Sequence, residues 1–186
     1  MEVKGEYQIA SSRDTVWAAL NDVAMLQKCI PGCDSLEQTA DSEFQGKVAA
    51  AIGPVRAKFN VVIRLQNAVP PESYTLSGES KAGAVGFGRG SADVSLTEKD
   101  GGTLLAYSAE FKVGGKLAQV GSRLVVGATK KTADDFFGCL SRELDSAAPS
   151  PAARKDEKAG LRAVTKTRIV IGAAAVGLLA LWFLLR

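Results

Sequence analysis

Three cysteines, twenty carboxylates and no imidazole make up the chemical equipment of this 186-residue chain. Without histidine there is no Ser-His-Asp or Cys-His nucleophile pair, no His-ligated zinc and no imidazole general base. Cys29-Ile-Pro-Gly-Cys33 places three residues between its thiols, one more than a redox pair uses, and Cys139 stands far away. An odd count without metal-ligand spacing predicts buried structural thiols rather than a disulfide framework, and suits a reducing compartment such as the cytoplasm. The carboxylates are scattered, with no pair spaced on one element for general acid and base work. Gly86-Phe-Gly88-Arg-Gly90 has the glycines of a dinucleotide fingerprint at strand spacing and without a following helix. Gly114-Gly115-Lys116-Leu117 lacks the first glycine and the hydroxyl residue of a phosphate-binding loop, and reads as a helix start. The chain is expected to bind rather than to catalyse, with no metal.

Charge is unevenly placed. The 23 Lys and Arg exceed the 20 Asp and Glu by three, but up to Ala153 there are 16 basic and 18 acidic residues, and after it 7 and 2. A basic excess confined to a tail argues against nucleic acid as a partner. Directly behind the tail cations, Ile169–Leu185 runs for 17 residues without a charge. At about 1.5 Å per residue it reaches about 25 Å, and with Lys166 and Arg168 snorkelling it reads as one transmembrane helix, a buried closing helix being the alternative. Six cations lie before it and only Arg186 behind, so the positive-inside rule puts the preceding domain in the cytoplasm, on a single-pass carboxy-terminal anchor. The amino terminus has no apolar run of signal-peptide type. Residues 146–168 read as a flexible basic linker, whose Ala147–Gly160 portion, at about 3.1 Å per residue, stretches to about 40 Å.

Residues 1–145 alternate between two periods. Glu2–Ile9 reads as a strand, followed by Ser11 or Ser12 as the cap of a short helix through Trp17 and Leu20, with Asp14 placed to close a capping box. A second short helix near Asp22–Lys28 stops at Ile30-Pro31-Gly32. Strands follow at 36–40, 44–52, 56–66, 73–79, 85–97 and 103–113, the fourth and seventh of the chain alternating cleanly between apolar and polar residues. From Lys116 the period becomes helical for about 28 residues, with Leu117, Gly121, Leu124, Ala128, Thr132, Phe136 and Leu140 on one stripe. A one-sided antiparallel sheet must be covered, and this helix is the long element available. The expected class is α+β, with a curved antiparallel sheet wrapped around a long carboxy-terminal helix.

Aromatic residues make up only 6% of the chain, the strands are rich in Ala and Gly, and the helix contains Gly121 and Gly127. Two readings follow: an apolar ligand cavity between sheet and helix, or a tight core of small residues with glycines serving sheet curvature. If there is a cavity, periodicity points into it Phe59, Val61 and Ile63 from one strand, Tyr107, Ala109 and Phe111 from another, and Leu117, Val120, Gly121, Leu124 and Ala128 from the helix. Each of these equally suits plain core.

The segments Val16-Trp-Ala-Ala-Leu-Asn-Asp22, Cys29-Ile-Pro-Gly-Cys33, Ile52-Gly-Pro-Val55 and Val113-Gly-Gly-Lys-Leu-Ala-Gln-Val-Gly-Ser-Arg-Leu124 occur in order. Together, over residues 1 to about 140, they resemble the CoxG family of carbon monoxide dehydrogenase subunits, within the START-like, helix-grip (SRPBCC) superfamily. The superfamily resemblance implies a helix-grip fold with an apolar ligand site. The family resemblance implies an accessory protein that associates a molybdenum-containing carbon monoxide dehydrogenase, or a related molybdenum hydroxylase, with the cytoplasmic membrane and serves electron transfer to respiratory quinone. Such a protein would have no covalent cofactor, and its expected partners are dehydrogenase subunits, membrane lipid and a non-covalent quinone, toward which Tyr74 or Tyr107 could turn a hydroxyl. Two alternatives stay open: a docking or assembly protein without a ligand, and an enzyme of the START-like group.

Overall fold

The computed structural model describes residues 1–147; of the expected linker 146–168, Ser146 and Ala147 still belong to the closing helix of the domain, and residues 148–168 and the apolar segment at 169–185 lie outside the described residues. Seven strands form one antiparallel sheet: β1 (Glu2–Ile9), β2 (Cys33–Ala40), β3 (Glu43–Ile52), β4 (Val55–Val69), β5 (Ser73–Lys81), β6 (Gly86–Lys99) and β7 (Gly102–Gly115). Their spatial order is β1-β7-β6-β5-β4-β3-β2, so the amino-terminal strand crosses to pair with the last one and the rest is a meander. Register puts the apolar residues in rows on one face. Phe111 lies beside Gly90, Gly90 beside Gly78, Gly78 beside Ile63 and Ile63 beside Phe44. The next row begins with Val113, Gly88, Ser80 and Val61.

Two short helices, α1 (Arg13–Leu20) and α2 (Val23–Cys29), fill the crossover after β1. Ser12, not Ser11, caps α1: its Oγ accepts the Thr15 N–H at 3.3 Å and meets Thr15 Oγ1 at 2.8 Å, so Thr15 rather than Asp14 answers the cap. Asp22 caps α2 by accepting the Ala24 N–H at 2.8 Å.

The long element is not one helix. A 3-10 turn, Lys116–Val120, ends at Gly121, whose φ of +96° is left-handed backbone, and α3 (Ser122–Ala147) starts after it. The buried residues of α3 are Val125, Thr129, Ala133, Phe136, Phe137, Leu140 and Leu144. Steps of four residues drift by about 40° each in a helix of 3.6 residues per turn, so within α3 the expected stripe is buried at Phe136 and Leu140, half-buried at Ala128 and Thr132, and exposed at Leu124.

The expectation of three structural thiols is also corrected. Packing of α2 against α3 brings the Cα atoms of Cys29 and Cys139 to 5.3 Å, and the two form a disulfide across 110 residues of chain, while Cys33 is free. A pairing made by tertiary packing leaves no trace in cysteine spacing. Among the described residues no helix is long and apolar enough to cross a membrane.

Candidate functional site

The face of the sheet that meets α3 is filled differently at its two ends. At the end holding the α3 carboxy-terminal half, rings pack together: Tyr7 stacks on Phe137 with centroids 4.2 Å apart, Phe136 meets Phe137 edge-on at 5.0 Å, and Trp17 meets Tyr74 edge-on at 5.5 Å. Tyr7 also donates its hydroxyl to Asp134 Oδ1 at 2.9 Å. Burial first, then that hydrogen bond, pushes the Tyr7 phenol upward, and burial does the same to Tyr74 and Tyr107, so all three remain protonated donors at neutral pH.

Toward the other end the residues shrink. Ala50 and Ala57 face each other across β3 and β4 and are half-buried, as are Val113, Val120 and Ala128. This end is bounded by the β3–β4 turn at Gly53, the 3-10 turn Gly83–Val85 and the start of α3. A Cβ on Gly53 would lie 3.5 Å from both Leu124 Cδ1 and Val120 Cγ1.

The eleven residues picked from periodicity divide accordingly. Phe59, Val61, Ile63, Tyr107, Ala109, Phe111 and Leu117 are all buried to 6% exposure or less, on the inner face or beneath it. Val120 and Ala128 are half-buried at the small-residue end. Gly121 and Leu124 are exposed, Leu124 at 54%, Gly121 at the break before α3 and Leu124 on the outward side of its first turn, next to buried Val125. Gly127 does not admit a close neighbour either: a Cβ there would meet nothing within 4 Å.

Two polar atoms matter that lie outside those eleven residues. Tyr74 Oη and Ser80 Oγ are buried, at 2% and 1% residue exposure, without a hydrogen-bond partner. A buried hydroxyl left unpaired costs about 1–3 kcal/mol, so each is poised to meet an acceptor. Ser80 was legible in principle: extending β5 by one residue puts it on the inner row of Tyr74, Leu76 and Gly78. Tyr107 has its ring edge over Gly5, where a Cβ would lie 2.7 Å from Cε1.

Three concavities are lined by described residues, two away from the small-residue end and one bordered by its Ala50 and Ala57. One of about 960 Å³ lies on the outer, polar face, among Arg64, Ser77, Glu79, Arg89, Glu110 and Lys112. A second of about 680 Å³ lies farther along that face beside Asn67, Thr75 and Asp93, and a third of about 420 Å³ sits at Ala49–Ala51 and Arg56–Lys58. Of the eleven predicted residues, Phe111 borders the first and Tyr107 the second.

Solved structures share this architecture. A conserved protein from Geobacillus kaustophilus is 30% identical with a TM-score of 0.75, the match covering 79% of this chain and 97% of that one. A Mycobacterium smegmatis protein, 14% identical, superposes with a TM-score of 0.61 over 78% of this chain and 91% of its own. A Thermus thermophilus protein, 15% identical, does so at 0.57 over 80% and 99%. The last two speak to the fold alone. No curated protein matches the sequence. Residues 5–145 match the family model of CoxG, described as a lettered subunit of carbon monoxide dehydrogenase. With most of the folded part inside that match, the chain belongs to the CoxG family of carbon monoxide dehydrogenase subunits.

Proposed function

We propose that this protein is a membrane-anchored, non-catalytic accessory subunit that carries a respiratory quinone between the bilayer and a molybdenum-containing carbon monoxide dehydrogenase in the cytoplasm. The observation that carries the ligand part is the inner face itself: apolar rows that thin to alanine and valine at one end, with the Ser80 hydroxyl buried there unpaired. A quinone carbonyl is an acceptor for that donor, and a prenyl chain suits Phe59, Val61, Ile63, Phe111 and Leu117. Val120 and Ala128 would flank the opening, with Leu124 at its rim.

The energetics suit a shuttle. Apolar burial is worth about 25 cal/mol per Å² against water, but a prenyl tail passing from lipid to an apolar interior exchanges one oily medium for another. Loading is then nearly balanced and reversible, provided the domain stays close to the bilayer. The apolar segment at 169–185 and its preceding cations supply that tether.

The second reading is an assembly protein that presents a surface to the dehydrogenase. It draws support from the near-complete burial of seven of the eleven pocket residues, which is what a filled core shows. Solvent extraction of the purified full chain, followed by mass spectrometry, decides between them. The carrier yields an isoprenoid quinone near one per chain, and Ser80→Ala lowers its occupancy severalfold while leaving membrane recruitment of the dehydrogenase unchanged. An extract free of isoprenoid lipid, with recruitment intact, selects the assembly protein.

A further inference from the structure

The end of the domain bounded by the β3–β4 turn, the Gly83–Val85 turn and the start of α3 is chemically unlike the rest. The three stretches that build it, residues 44–71, 80–92 and 111–133, contain no carboxylate at all, although 18 acids precede Ala153. Their exposed cations at this end include Arg56, Lys81, Lys112, Lys116 and Arg123. The acids that approach from outside these stretches include Glu79 and Asp34, engaged with Lys81 at 3.7 Å and Lys58 at 2.7 Å, and Glu110, which shares the outer-face concavity with Lys112.

Apolar side chains stand among these cations. Of the four exposed large hydrophobics among the described residues, two are here, Phe87 at 48% and Leu124 at 54%. Phe87 lies over Gly114, and Leu124 touches the Gly53 turn, so both border the same end from opposite faces of the sheet. Isolated exposed apolar residues are ordinary, but a pair set among cations, on stretches that carry no acid of their own, matches one kind of surface: apolar side chains enter the headgroup layer while lysine and arginine meet lipid phosphates.

We propose that this end docks on an anionic lipid bilayer, with Phe87 and Leu124 inserted and Arg56, Lys112, Lys116 and Arg123 against phosphates. The small-residue end of the inner face, at Ala50, Ala57 and Val120, would then face the lipid. The proposal rests on the tether reading only for nearness to a membrane, and on no bound quinone.

The test uses the full chain carrying Trp182→Phe, with a single added tryptophan at Phe87→Trp or, as the far-end control, at exposed Val69→Trp. The probes are vesicles of brominated phosphatidylglycerol or brominated phosphatidylcholine. Quenching at position 87 in phosphatidylglycerol is expected to exceed that at position 69 at least threefold, and to fall by at least half on Arg56→Glu/Lys116→Glu/Arg123→Glu. Equal quenching at both positions, equal quenching in the two lipids, or indifference to charge reversal overturns the proposal. Absence of extracted quinone with quenching intact would sink the carrier reading alone.

Discussion

At the scale of single residues, the cysteines set two requirements against each other. The structure joins Cys29 to Cys139, whereas the cations before the apolar segment argue for a cytoplasmic domain, where disulfides are rare. If the domain is cytoplasmic, as proposed, the pair is expected to be a dithiol in cells and to close on isolation, since its Cα separation of 5.3 Å keeps the sulfurs adjacent. Rapid alkylation under denaturing quench should therefore modify all three cysteines from intact cells but one, Cys33, in air-exposed purified protein. One modified thiol from cells would put the domain on an oxidising side and overturn its cytoplasmic placement. Cys33 itself should react slowly in the folded protein. Burial first, then the Asp34 carboxylate, pushes its thiol above the ordinary value, so less thiolate is present at neutral pH. Its iodoacetamide rate at pH 8 should lie several-fold below that of the unfolded chain and keep rising beyond the pH where a free thiol levels off. Ser80 belongs to the same scale: its unpaired hydroxyl is invisible to a pattern of apolar residues because serine reads as polar and therefore outward.

At the scale of elements, glycine placement separates two functions that the sequence runs together. Gly121 has left-handed backbone and ends the 3-10 turn, while Gly127 sits within α3 with open space where a Cβ would go. Gly127→Ala should stabilise the domain by about 1 kcal/mol, since it removes backbone freedom from the unfolded chain and meets nothing in the folded one. Gly121→Ala should destabilise by about 1 kcal/mol or more through the forced positive φ. Thermal denaturation reads both, with midpoint shifts of about 4 °C in opposite directions; a stabilised Gly121→Ala would contradict the break as described. The same helix shows how far the sequence could be read. Glu2–Ile9 was legible to the residue because both faces alternate and a capped helix follows, and the meander strands were legible within a few residues for the same reason. The α3 stripe was legible from Phe136 onward. Before that, the four-residue spacing drifts around the helix, leaving Ala128 and Thr132 half-buried and Leu124 exposed while Val125 and Thr129 take the inner face. Leu124 left the predicted pocket for that reason and Gly121 because it forms the break before α3, while the strand residues Phe59, Val61 and Ile63 stayed on the inner face.

At the scale of the whole molecule, the tether and the docking end must be compatible, and their geometry is demanding. α3 has 26 residues, so its last residue lies about 39 Å along its axis from the end proposed to meet lipid. The segment 148–168 must return that distance before the apolar run can enter the same bilayer. Its 21 residues, fully extended at about 3.1 Å each, span about 65 Å, which suffices with slack for tilt. Removing residues 148–160 leaves eight before Ile169, or about 25 Å, which does not reach. The shortened chain should still float with vesicles through its apolar segment, yet lose most of the phosphatidylglycerol quenching at Phe87→Trp, because the domain is pulled against the membrane by its wrong end. Carbon monoxide-dependent quinone reduction in membranes should fall with it. Restoring 13 residues of Gly/Ser in place of the deleted stretch should recover both, since reach and not sequence is what the argument requires. Undiminished quenching in the shortened chain would mean that the Phe87 end reaches lipid without the length of 148–160, and that α3 does not separate it from the apolar segment as described.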